Sequence, residues 1–141
     1  MAIDLKQSNL MKTKYLISGI FAALFMLISC AEFPMDEDGL LISSQSKCYI
    51  GTFYLYGPEN IDVLIQDSTV IDTVNLTVDG MVKFGTNLAH LKPAASLSLD
   101  SKITPAMGVW TDFTVPNRYT VISGNRKVNK VYTITIRMQG E

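Results

Sequence analysis

Residues 118–138 read RYTVISGNRKVNKVYTITIRM, and this stretch decides the fold. Two runs rich in β-branched and aromatic residues, Arg118 to Ile122 and Val131 to Met138, flank a polar turn from Ser123 to Lys130. In the second run Tyr132, Ile134, Ile136 and Met138 recur at every other position, with Thr133, Thr135 and Arg137 between them. A period of two places the first set on one face of a strand and the second in water. The pair therefore predicts two antiparallel strands joined by a hairpin, over a core that something else must cover.

Working upstream, the same grammar repeats. KCYIGTFYLY (47–56) is a strand candidate broken by Gly57-Pro58. DTVNLTV (72–78) alternates, with Val74, Leu76 and Val78 expected inside; Asp79-Gly80 then reads as a tight turn and MVKF (81–84) as the returning strand. ASLSLDS (95–101) is expected to bury Ala95, Leu97 and Leu99, and NLAHLK (87–92) to form one helical turn. About seven short strands at this spacing predict an all-β antiparallel β-sandwich over residues 42–141. Its expected core comprises Leu76, Leu97, Leu99, Tyr119, Val121, Tyr132, Ile134 and Ile136.

The N-terminal third has a different character. Lys12 and Lys14 precede an apolar block, Tyr15 to Ile28, too short to span a bilayer comfortably and of the length of an export signal. The expected organisation is an export segment at 1–29, an acidic tether at 30–41 and the sandwich; translation could begin at Met1 or Met11. Leu27-Ile28-Ser29-Cys30 resembles the lipobox of bacterial lipoproteins, which implies a diacylglycerol on the Cys30 thiol and an outer-membrane anchor. The run Glu32, Asp36, Glu37 and Asp38 resembles the surface-export signal of Bacteroidetes-type lipoproteins and is expected to be disordered. A membrane-bound N-terminus is thus the first expected partner.

The C-terminal half carries a second resemblance. Leu88 to Pro93, Ile103 to Gly108, Asp112-Phe113, Pro116 to Val121 and Tyr132 to Ile136 together resemble the immunoglobulin-like domain of Bacteroidetes surface lipoproteins. The resemblance implies an immunoglobulin-like sandwich and assigns no function. It departs at Ser123 to Lys127, where an acidic Asp-Gly turn is more usual.

Little chemistry is available. The chain has a net charge of −1, and 12 acidic against 9 basic residues beyond Cys30 give −3, so no nucleic-acid partner is expected. His90 is the only histidine, read here as a turn residue, so no catalytic triad can form without it and no enzyme is expected. Cys48 reads as a small buried residue within a strand. No metal spacing and no cofactor motif occur. Trp110 is the one candidate ligand contact, through stacking on a sugar ring, although packing in the core is the favoured reading. Arg126, Lys127 and Lys130 read as a solvated hairpin tip. Asp67-Ser68-Thr69 and Asp72-Thr73-Val74 resemble Bacteroidetes O-glycosylation acceptors, at Ser68 and Thr73. The expected function is a lipid-anchored envelope binding or accessory module, recognising glycan or a partner protein; the alternative is a structural spacer. Recognition would require Trp110, Tyr54 or Tyr56 exposed beside a concavity.

Overall fold

Alternation of apolar and polar side chains leaves each strand with one face to hide, and two sheets do so against each other. The computed structural model describes residues 33–140; the export segment, Cys30 and the first tether residues lie outside them. The strands are β1 (Ile50–Tyr56), β2 (Val70–Asp72), β3 (Thr77–Val82), β4 (Lys92–Leu97), β5 (Lys102–Thr104), β6 (Asn117–Ile122) and β7 (Asn129–Met138). β1 pairs with β4, and the other five form one sheet in the order β2-β3-β7-β6-β5. The all-β sandwich is as expected, with one amendment: β3 runs parallel to β7, from Thr77 opposite Thr133 to Val82 opposite Met138, so the large sheet is mixed.

The core lies between the sheets. Phe53, Leu55 and Leu91 meet Val78, Val82, Tyr119, Val121, Tyr132, Ile134 and Ile136, all buried. Burying a side chain of this size stabilises by about 1.5–3 kcal/mol relative to exposure. Leu76 and Leu97 pack at its margin. Leu99, assigned to the core by alternation, is 68% exposed. The reason is Ser98, whose buried hydroxyl accepts from Tyr49 N at 3.1 Å and donates to the Lys47 carbonyl at 3.1 Å, so the chain leaves the sheet there.

The turn expected at Asp79-Gly80 also moves. Asp72 accepts hydrogen bonds from Val74 N and Asn75 N, both at 2.8 Å, and from Asn75 Nδ2 at 2.7 Å. That side-chain cap sets the turn at 73–76, with Leu76 at φ 59° and Val74 exposed rather than buried. Asp79 and Gly80 lie inside β3. Gly80 serves close packing: a Cβ there would come within 2.9 Å of Ile136 Cδ1 and 3.1 Å of Leu64 Cδ1. Residues 87–90 form a hydrogen-bonded turn, not a helix, and the one helical turn described is the 3-10 segment Gln66–Ser68. Cys48 is buried just before β1, outside the strand.

Strand direction gives the sandwich two poles. At one, the chain enters and the β6–β7 turn, Asp100 and Cys48 gather; at the other lie residues 57–61, 83–91 and 108–115. The entering segment is ordered earlier than the expected tether suggested. Met35 bridges to Leu41, and Asp36, with a side chain 10% exposed, accepts from Arg126 Nε at 2.8 Å, Leu40 N at 2.9 Å and Lys102 Nζ at 2.9 Å. The Lys102 ammonium first, then the Leu40 N–H and Arg126, hold the Asp36 carboxyl well below the usual carboxylate range. Arg126 is therefore not a solvated tip. Its Nη1 donates to the Asp100 and Ser123 carbonyls at 3.0 and 2.9 Å, and its Nη2 to the Leu41 carbonyl at 3.3 Å. The departure from an acidic turn at 123–127 supplies the cation that fixes the entering chain.

Candidate functional site

On β1 the inward residues Phe53 and Leu55 leave Tyr54 and Tyr56 facing out, half-buried. Their rings lie 6.3 Å apart and 16° from parallel. The β1–β4 register sets Ala94 opposite Tyr54 and Lys92 opposite Tyr56. Leu91 and Thr111 exchange two backbone hydrogen bonds, 3.1 and 2.8 Å, which extend the ladder by one antiparallel bridge. That bridge brings Trp110 alongside Lys92, giving a transverse row Tyr56–Lys92–Trp110 on the outer face of the small sheet.

Trp110 is 41% exposed, so the favoured core reading is corrected: Phe113, three residues on, fills the core instead. The His90 ring stacks on the indole at 4.0 Å and 12°, and Lys92 Nζ stands 4.3 Å from its centroid. The indole is thus engaged by both of its neighbours, one an aromatic ring and the other a cation. His90 sits in a turn, as expected, and its ring is engaged with Trp110. Lys92 Nζ also donates to Asn60 Oδ1 at 3.4 Å. No carboxylate among the described residues lies within ion-pair distance of it.

At the pole formed by residues 57–61 and 83–91 is a shallow hollow of about 360 Å³, whose lining includes Pro58, Val63, Phe84, Asn87 and Leu91 and none of the residues of this row. Phe84, taken from the sequence as the end of a returning strand, is 82% exposed at its rim. The structure thus brings Trp110, Tyr54 and Tyr56 to one outer face, but none of the three lines this hollow. Sequence reasoning missed Lys92 and Phe84. Lys92 was legible in AHLKP, where a buried Leu91 between two polar neighbours puts His90 and Lys92 on the same side.

The remaining candidates are elsewhere. Cys48 donates its thiol to the Val121 carbonyl at 3.1 Å, and burial pushes its pKa up, so it is a packed thiol and not a nucleophile. Ser68 and Thr73 are exposed, in the 3-10 turn and in the β2–β3 turn. Among the described residues no three His, Cys, Asp or Glu side chains group as a metal site.

Comparison with known proteins adds a family. The model of the family described as SGBP, N-terminal, from Bacteroidetes surface glycan-binding proteins, matches residues 60–136. No curated protein sequence matches the chain. Two solved structures share the fold. A protein of Bacteroides thetaiotaomicron, provisionally described as a glycoside hydrolase, is 22% identical with a TM-score of 0.56, over 75% of this chain. A DUF4623 family protein of Bacteroides eggerthii is 14% identical with a TM-score of 0.51, over 67% of this chain. This chain spans 28% and 22% of their respective lengths.

Proposed function

Because the chain belongs to the SGBP N-terminal family, a family of Bacteroidetes cell-surface proteins, we propose that it is a glycan-contacting module held at the outer membrane by lipid on Cys30. The observation that carries this reading is the exposed aromatic face itself. Tyr54 and Tyr56 stand on β1 and Trp110 beside the ladder, on the outer face of the small sheet, with Tyr56 and Trp110 towards the pole opposite the entering chain. The flat rings of Tyr54 and Tyr56, fixed in this way, complement the axial C–H face of a pyranose and lose little conformational freedom when one stacks, while Trp110, engaged by His90 and Lys92, borders that face.

A spacer role is the second reading, and one observation favours it: the solved relatives are several times longer than this chain, so the fold there is one part of a larger protein. A glycan array probed with the full chain in detergent separates the two. Binding that falls at least tenfold in both Tyr56→Ala and Trp110→Ala supports contact through this face. Binding unaffected by either substitution, or no binding at all, removes it. Anchoring is tested by metabolic labelling with a palmitate analogue: wild type takes the label into the membrane fraction and Cys30→Ser does not. A wild-type chain without label refutes the anchor.

A further inference from the structure

We infer that the site selects acidic glycans, with the Lys92 ammonium receiving a uronate carboxylate. This rests on the proposed glycan contact and narrows it to a class. Three observations carry it.

The first is the state of Lys92. Its ammonium has three donors. Within the protein it meets the Trp110 ring at 4.3 Å and one long hydrogen bond, to Asn60 Oδ1 at 3.4 Å. Like Lys47, Lys83, Arg118, Lys127 and Lys130, Lys92 is in none of the described ion pairs; what sets it apart is the Trp110 ring that holds its ammonium in place. Lys92 is thus a held cation with donors to spare.

The second is how it is held. His90 stacks on Trp110, and the Lys92 ammonium rests against the same indole. A neutral sugar would have to displace one of these two groups to stack on that ring. An anionic sugar need not, because its carboxylate meets the ammonium from the solvent side while its ring lies along the Tyr54–Tyr56 pair. The register makes this geometry available, since Lys92 is directly opposite Tyr56.

The third is range. The protein beyond Cys30 has a net charge of −3, which repels a polyanion at a distance, so selection for an acidic glycan falls to the short-range contact at Lys92. A single charge-assisted hydrogen bond of this kind, on a partly exposed face, is worth roughly tenfold in affinity.

The test is titration calorimetry of the full chain in detergent with oligosaccharides of galacturonate, glucuronate and mannuronate, each beside its carboxyl-reduced neutral counterpart. The expected result is at least one uronate oligosaccharide bound about tenfold more tightly than its reduced form. Lys92→Met, which keeps the apolar stem over Trp110, should erase that preference; Lys92→Arg should retain most of it. If wild type binds the charged and reduced forms equally, or Lys92→Met keeps the preference, the acidic class is wrong while the glycan reading stands. If only neutral glycans bind, on this panel or on the array, the outcome is the same. If no oligosaccharide of any charge binds, both readings fall together.

Discussion

Ile134 and Leu99 were equivalent in the sequence, both apolar and both on an alternating face, and the structure separates them sharply. Ile134 is fully buried at the centre of β7, opposite Val78 on one side and Asn117 on the other. Leu99 is 68% exposed in a turn. Ile134→Ala removes three carbons, about 2.4 kcal/mol of transfer free energy at ~0.8 per methylene. A cavity contribution adds to this, and the flanking strands prevent collapse, so the total should reach about 3.5–5 kcal/mol. Ile134→Val should cost only about 0.5–1.5 kcal/mol, and Leu99→Ala should stay within about 0.5 kcal/mol of wild type. Urea unfolding followed by Trp110 fluorescence and far-ultraviolet circular dichroism reads all three. If Leu99→Ala costs as much as Ile134→Ala, or Ile134→Ala costs under about 1 kcal/mol, the assignment of the core is wrong.

Further expectations concern the poles and turns. Asp36→Asn should loosen residues 34–42, seen as faster proteolytic nicking there, with the sandwich still folded; unchanged nicking would show that the clamp does not order this segment. Asp36, Asp72 and Asp112 all have lowered carboxyl pKa values. Their contribution to stability is therefore complete above the unfolded carboxylate value, about 3.9, and is lost as pH falls below it. A melting temperature flat from pH 7 to 5 and dropping below about pH 4 is expected; one that rises on acidification would contradict this. Gly124→Ala should destabilise by about 1–3 kcal/mol, because its Cβ would meet Asp100 Cβ at 2.9 Å and Gln45 Cβ at 3.0 Å where the chain segments cross. A neutral effect in the same urea titration would show that the crossing can widen.

What was legible from residues alone was parity. In β7 every inward and outward position follows from alternation, because the strand is long and nothing interrupts it. Parity does not say where a strand stops. The β2–β3 turn is placed by the hydrogen bonds of the Asp72 carboxylate, and the favourable Asp79-Gly80 signal is overridden because Leu64 and Ile136 occupy the space a side chain would need. Leu99 was misplaced for a similar reason, since the buried hydroxyl of Ser98 ends the sheet one residue before it. At the candidate site Trp110 was visible as the only tryptophan, but its exposure depends on a register between Leu91 and Thr111 across a gap of 20 residues. No local pattern carries that information.

The parallel pairing of β3 with β7 bears on how the protein is made. β7 is the centre of the large sheet, joining the β2–β3 half to the β6–β5 half, and it is the last of the seven strands to leave the ribosome. Until it arrives, β3 lacks its parallel neighbour and the two halves have nothing to join them. Its partner residues are also far apart in sequence, Thr77 from Thr133 for example, so the loop that must close is long and assembly is slow. The proposed export requires a chain that stays threadable until it has crossed the membrane. Placing the keystone strand last keeps the polypeptide open through synthesis, and commits it to the folded state only once the whole domain is available.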